Sequence, residues 1–532
     1  MAAAAASFFK CMLLVLPLCL LLPCGNSDFF GETTAYLNVP AAKFERAVES
    51  TAAQLRQVIS TISKFSAETS GGDLRLSNAL SNCYDLLDFS LDLLNSTTQL
   101  VTSRNPSRKD RSSNEKYGSF EMMKNVKCPL TVNPETCKEG FDAIPDNNPV
   151  KNSIFSQLDS VATSAQKLSA MVNPNYLTTT QSKIRRGRKL IGDHDHAQFP
   201  DWVKPHDRKL ILEGAAASIT GVDAVVAADG TGDFTTIMAA IEKAPKNSTR
   251  RYVIHVKKGV YREYVDISKH KWNIMMFGDG IDATIISGNR SKTDELSTYR
   301  SATFGVKGRG FVAMDMTFEN TAGPEMHQAV AFRSDSDQSV VYRCAIRGYQ
   351  DALYSHCHRQ FYKECKISGT VDFIFGHGTA VFQDCQITAR KALPGQKNTI
   401  AAQNRDDLLE PSGFSFQFCR ISAEPGAGGS TPTYLGRPWK IYSTTVVMQS
   451  YISGDIRPEG WLEWNGDLFL DTLFYGEYGN YGPGANLSGR VKWPGYHVLN
   501  ESQASQFTVT RFINGDGWLP STGVNYTSGL TY

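Results

Sequence analysis

Apolar side chains recur every three or four residues in the first third of the chain and close to every second residue in its last three hundred. Phe44, Val48, Leu55, Val58, Ile62 and Phe65 trace one stripe, Leu80, Leu86, Leu87, Leu91 and Leu94 a second, and Ile154, Leu158, Val161 and Leu168 a third. Stripes of this period predict amphipathic helices packed as a bundle over residues 40 to 170. The polar stretch from 102 to 118 is expected to be a loop, and Cys137 is a candidate to staple the helix bearing Cys83 to another. Between 171 and 215 the apolar period is lost and the chain turns basic, with Arg188-Lys189-Leu190-Ile191 repeated as Arg208-Lys209-Leu210-Ile211. An exposed basic linker is a good protease target, so cutting is expected at one of these tetrapeptides.

From residue 222 onward, Val, Ile, Phe and Tyr alternate with polar residues and Gly is frequent, which predicts strands. A motif recurs there: Tyr342-Arg343-Cys344-Ala345-Ile346, Tyr362-Lys363-Glu364-Cys365-Lys366-Ile367 and Phe382-Gln383-Asp384-Cys385-Gln386-Ile387. Looser copies end at Ile421 and Ile452, so the isoleucines are spaced by 21, 20, 34 and 31 residues. Strand-rich repeats of this period predict a parallel β-helix with insertions in some coils, each coil burying an Ile or Cys.

Lys10 precedes an apolar run from Cys11 to Leu22, broken only by Pro17. The run is too short to span a bilayer and fits a signal peptide over residues 1–25, with no stable membrane association after its removal. Six glycosylation sequons, at Asn95, Asn247, Asn289, Asn486, Asn500 and Asn525, agree with secretion. Eight of the 11 cysteines lie beyond this segment and can pair in an oxidising compartment; none has zinc-site spacing. Net charge is +2, and from Glu213 onward 31 Lys and Arg face 32 Asp and Glu, so no basic excess points to nucleic acid. No metal or cofactor is called for.

The repeat places two carboxylates together. Asp351 follows Ile346 by five residues, and Asp372 follows Ile367 by five. Equivalent positions on successive coils lie about 4.8 Å apart. Carboxylates that close cannot both ionise freely, which leaves one neutral acid and one anion at the same pH. Asp372 is also flanked by Val371, Phe373 and Ile374, an unusual setting for a solvated acid. Spacing alone suits a ladder of turn-capping aspartates equally well.

The motifs around them resemble those of plant pectin methylesterases. The match runs through Gly259-Val260-Tyr261-Arg262-Glu263, Gln328-Ala329-Val330, Gly348-Tyr349-Gln350-Asp351, Gly369-Thr370-Val371-Asp372-Phe373-Ile374-Phe375-Gly376 and Leu435-Gly436-Arg437-Pro438-Trp439. The resemblance implies a right-handed parallel β-helix over residues 216–532 that removes methyl groups from cell-wall homogalacturonan. It implies Asp372 as nucleophile, Asp351 as acid and then base, Gln328 with Gln350 as oxyanion donors, and Arg437 as the partner that holds the nucleophile. Trp439 and Thr298 are implied to contact the sugar, and Cys365 with Cys385 to form a disulfide. Two positions depart from the family pattern: Ala352, where a Thr hydroxyl near the site is usual, and His377-Gly378, where Asn-Ala is usual. Gly376-His377-Gly378 resembles a polygalacturonase motif, but the other polygalacturonase motifs are absent, and His377 reads as a substituted turn residue. A glycan-cleaving β-helix enzyme and a non-catalytic pectin binder are the competing readings.

Residues 40–175 resemble, more weakly, a pectin methylesterase inhibitor domain, a four-helix bundle, through Ala79-Leu80-Ser81-Asn82-Cys83 and Asn133-Pro134-Glu135-Thr136-Cys137. The family's opening Cys pair is missing. The resemblance implies a pro-domain joined by a processing linker over 176–215. Its implied partners are methyl-esterified pectin, the chain's own inhibitor-like domain or separate inhibitor proteins, and a processing protease. The implied location is the plant cell wall.

Overall fold

The computed structural model describes residues 35–37, 39–69, 73–102, 114–174, 221–408, 410–426 and 431–531. The expected signal peptide and the basic linker, with Arg188, Lys189, Leu190, Arg208, Lys209 and Leu210, lie outside the described residues. No described helix is long and apolar enough to cross a membrane.

The N-terminal region forms four helices, α1 (Ala41–Glu68), α2 (Leu74–Thr102), α3 (Asn114–Glu139) and α4 (Pro149–Ala170). Helix α1 buries Phe44, Val48, Leu55, Val58 and Ile62, and α4 buries Ile154, Leu158, Val161 and Leu168, so the 3.6-residue stripes face one core. Helix α4 starts where Asn148 Oδ1 accepts the N–H groups of Val150 and Lys151, with Pro149 in the first turn. Helix α3 begins at Asn114, inside the stretch expected to be a loop, and it contains Pro129 and Pro134. Those prolines weaken any helical signal in the sequence. The Cys83–Cys137 disulfide staples α2 to the end of α3, with Cα atoms 4.5 Å apart.

The rest winds as a right-handed parallel β-helix whose three sheets have 11, 8 and 7 strands among the described residues. The repeat isoleucines stack in register: Ile346 on Ile367, Ile367 on Ile387, Ile387 on Ile421 and Ile421 on Ile452. The corner before each is a single left-handed residue, Arg343, Glu364, Asp384, Phe418 or Gln449, with φ between 49° and 57°. That corner turns the chain between sheets and points the next side chain inward, which is why the motif reads Cys-x-Ile. Tyr362, Phe382 and Phe416 stack alongside at 4.7 Å spacings.

The expected Cys365–Cys385 disulfide is not formed. Cys344, Cys365, Cys385 and Cys419 are buried free thiols on one ladder. Equivalent side chains on parallel coils point the same way, which stacks the thiols as neighbours without bonding them. Cys365 Sγ instead donates to Val341 O at 3.2 Å, and Cys385 Sγ to Tyr362 O at 3.4 Å.

Candidate active site

The seven-stranded sheet carries the site on the turns that lead into and out of its strands. Strands Leu353–Ser355 and Ile374–Gly376 pair with Leu353 beside Ile374, so Asp351 and Asp372, each two residues earlier, occupy one position on adjacent coils. Asp351 N–H donates to Val371 O at 3.1 Å. Both aspartates have left-handed backbones, with φ of 63° and 51°. Such a conformation is uncommon outside glycine, and aspartate tolerates it better than most residues.

Their environments differ. Asp372 is 6% exposed and receives three side-chain hydrogen bonds. Arg437 grips it with two, Nε to Oδ1 at 2.9 Å and Nη2 to Oδ2 at 2.7 Å, and Thr399 Oγ1 donates to Oδ1 at 2.6 Å. This bidentate, charge-assisted set favours the carboxylate and fixes its plane. Asp351 is 8% exposed and is held by none of these donors. Burial, then the charge of Asp372, push its carboxyl well above the ordinary range, against the opposing pull of Arg437 and Lys292. One carboxyl is pushed toward its neutral form beside one gripped by a guanidinium fork.

Arg437 follows strand Thr433–Gly436, and its N–H donates to Ala401 O at 2.9 Å. A Cβ on Gly436 would stand 2.7 Å from that same oxygen, so glycine is required for the close approach that delivers the guanidinium. The guanidinium also lies 4.4 Å over the Trp464 ring. Trp439 packs between Phe375, at 6.0 Å, and Trp464, at 6.5 Å, forming an aromatic wall beside Asp372. Gln350 O accepts from Ala329 N–H at 3.2 Å, which sets Gln328 and Gln350 on neighbouring turns at the same edge, both half-buried. Thr298 opens a 3₁₀ turn tied to that edge, because Ser301 Oγ donates to Thr298 O while accepting Val330 N–H.

Sequence reasoning missed Thr399 and Trp464. Thr399 sits in strand Asn398–Gln403 and looks like any β-branched strand residue, so only three-dimensional neighbourhood exposes it. Both departures also land differently from expectation. Ala352 is fully buried in the β-helix core, so the missing hydroxyl does not face the carboxyls. His377 is no mere turn residue: it is buried, with Nδ1 3.0 Å from Asn404 Oδ1 and Nε2 3.0 Å from Glu410 Oε2. Asn247, Asn289, Asn486, Asn500 and Asn525 are exposed, and Asn95 is half-buried on α2.

The helical region lies across this site. Acidic residues of α2 and the end of α3 meet a basic rim. Lys269 Nζ is 2.6 Å from both Asp88 and Asp92, Lys292 is 3.0 Å from Asp142, Lys440 is 3.1 Å from Glu135, and Arg300 pairs with Asp85. Arg75 of α2 reaches Glu295 at 2.9 Å in the opposite sense, and Thr136 Oγ1 bonds His356 Nε2 at 2.9 Å. Beneath these pairs, the helical core is continuous with Tyr354, Phe375, Trp439 and Trp464. Glu139 stands near enough to Asp351 to raise its pKa further, and its own is lifted to about 7 by burial and by Glu135. The Cys128–Cys357 disulfide joins α3 covalently to the β-helix.

Comparison with known proteins agrees with this architecture. The family model described as Pectinesterase matches residues 223–516. The pectinesterase/pectinesterase inhibitor PPE8B of Prunus persica is 54% identical over 93% of this chain and 91% of its own length. The probable pectinesterase/pectinesterase inhibitor 44 of Arabidopsis thaliana is 52% identical over 93% and 95%. The solved pectin methylesterase from carrot is 50% identical, covers 59% of this chain and 99% of its own, and superposes with a TM-score of 0.58. An all-parallel β-helix carrying two unlike carboxyls, a family match over most of that helix, and relatives matched along nearly their whole length lead to one assignment: the chain belongs to the pectinesterase family.

Proposed function

We propose that this chain removes the methyl groups of pectin through a covalent intermediate on Asp372. The observation that carries the mechanism is the split between two neighbouring carboxyls, one gripped by Arg437 and Thr399, the other pushed toward its neutral form by burial. An Asp372 carboxylate oxygen attacks the ester carbonyl carbon, and negative charge develops on the carbonyl oxygen. The amide N–H groups of Gln328 and Gln350 are the donors at that edge to receive it. As the tetrahedral species collapses, the C–O bond to methoxide breaks and Asp351 gives it a proton, releasing methanol and leaving an anhydride on Asp372. Asp351, now ionised, takes a proton from water, whose oxygen attacks the galacturonyl carbonyl. Asp372 leaves as carboxylate and the product is a free acid. Trp439 offers an apolar face for a sugar ring and Thr298 a polar contact at the rim.

Asp372→Asn in the released β-helix domain is expected to reduce methanol release from methylated pectin on the order of 10³-fold or more. Chain length of the pectin should stay unchanged with the wild type. Full activity in Asp372→Asn would overturn the mechanism, and chain shortening by the wild type would instead favour glycan cleavage.

The helical region is read as an inhibitory pro-domain. Three features support this: its side chains share one apolar cluster with Trp439 and Phe375, its acids neutralise the basic rim, and Glu139 faces Asp351. A pectin chain and this domain cannot occupy that face together. Secretion to the plant cell wall, glycan addition at the exposed sequons and cutting in the basic linker belong to the same reading.

A further inference from the structure

Cys128 and Cys357 join the helical region to the β-helix at a position 229 residues apart in the chain. Two consequences follow from where this bond sits. It spans the basic linker, with Cys128 before it and Cys357 after it, so a cut anywhere in residues 176–215 leaves the two pieces covalently joined. It is packed with Val132 on one side and meets buried polar groups on the other. The Cys128 sulfur, a ring nitrogen of His377 and a carboxylate oxygen of Glu410 lie within 4.8 Å of one another. Cys128, His358, Arg359, His377 and Glu410 line a cavity of ≈ 30 Å³, large enough to admit water. His358 Nδ1, buried in that lining, has no hydrogen-bond partner. A disulfide that only braced two surfaces would not need a buried imidazole–carboxylate pair beside it.

We propose that Cys128–Cys357 is a thiol–disulfide exchange site, a latch that keeps the helical domain on the β-helix after the linker is cut and opens to a dithiol reductant. The proposal rests on the reading of that domain as inhibitory only for its effect on activity. Cys128 is the less buried residue of the pair, at 6% against 1% exposure for Cys357, and its sulfur is the one attacked. One thiolate of the reductant bonds to Cys128 Sγ, the Cys128–Cys357 bond breaks, and the electron pair leaves on Cys357, which takes a proton. The second thiolate of the reductant then attacks its own sulfur in the mixed disulfide and displaces Cys128 as thiolate. Net, the dithiol is oxidised to a disulfide and the cystine is reduced to two cysteines. Negative charge is spread over the three sulfurs in each exchange step, and a cationic imidazole beside Cys128 stabilises it. Burial opposes protonation of His377, but the Glu410 carboxylate outweighs it and lifts the imidazole to about 9.

The test uses the full chain with its linker cut by brief trypsin treatment. On a denaturing gel without reductant, the cut wild type is expected to run as one species of undiminished mass, and with reductant as two. Cys357→Ser is expected to separate without reductant. Two wild-type fragments without reductant would overturn the latch. For the exchange chemistry, opening by dithiothreitol is timed against reduction of Cys83–Cys137 as internal reference. His377→Asn and Glu410→Gln are each expected to slow opening at least fivefold while the reference rate holds. Wild-type opening rates in whichever of the two variants folds would overturn the role of the pair. If the fragments separate only on reduction yet esterase activity assayed at pH 7.5 does not rise, the latch stands and the inhibitory reading falls.

Discussion

At the scale of single residues, the site depends on how one guanidinium is aimed. Arg437 makes two parallel bonds to Asp372, a geometry that a lysine ammonium cannot reproduce. Arg437→Lys keeps the charge and loses the fork. The expected result is a fall in kcat on the order of 10- to 100-fold with KM little changed, measured as methanol release by the released β-helix domain. Equal loss in KM alone would assign Arg437 to sugar binding instead. Asp351, Asp372, Gln328, Gln350, Arg437 and Trp439 were all readable from motifs, because each sits in a short run of constrained residues such as Leu435-Gly436-Arg437. Thr399 was not, because a threonine in a strand carries no local mark of the carboxylate it will meet one coil away.

At the scale of elements, the repeat isoleucines are the internal spine of the β-helix. Ile367 is fully buried between Ile346 and Ile387. Ile367→Ala removes three buried carbons and leaves a cavity that rigid strands cannot close, so a loss of about 3 kcal/mol is expected. Urea unfolding of the β-helix domain measures it, and a loss below 1 kcal/mol would mean that neighbouring coils collapse inward. The spine was legible because strand period, left-handed corner and buried Ile all recur together. The same regularity misled on the cysteines, since equal positions on adjacent coils look like a pair in sequence, whereas parallel strands send both thiols toward backbone carbonyls. Helix α3 escaped the apolar stripe because its two prolines interrupt the helical signal and polar residues such as Asn133 and Thr136 take buried positions.

At the scale of the molecule, two domains meet through acids on one side and bases on the other, with Glu139 enclosed between them. Its carboxyl rises from 4.5 to about 7 in the docked state, through burial first and Glu135 second, with Lys440 and Lys292 opposing. A raised acid binds more protons docked than free. Docking is therefore fully supported below about pH 4.5 and weakens as pH rises through 7. Asp351, also raised by burial, adds in the same direction. With the linker cut and the latch reduced, the helical domain is expected to co-elute with the β-helix on gel filtration at pH 5 and to separate at pH 7.5. Glu139→Gln should flatten that dependence, and tighter association at the higher pH would refute the assignment to Glu139.

Once the helical domain departs, the basic rim it covered has no internal partner. Lys269, Lys292, Arg300 and Lys440 then ring the mouth of a site whose substrate is neutral where methylated and anionic where it is not. Each turnover converts one neutral sugar into an acid of the kind that rim attracts. The acids of α2 and α3 thus occupy, in the docked form, the place for which an acidic product is expected to compete once they leave.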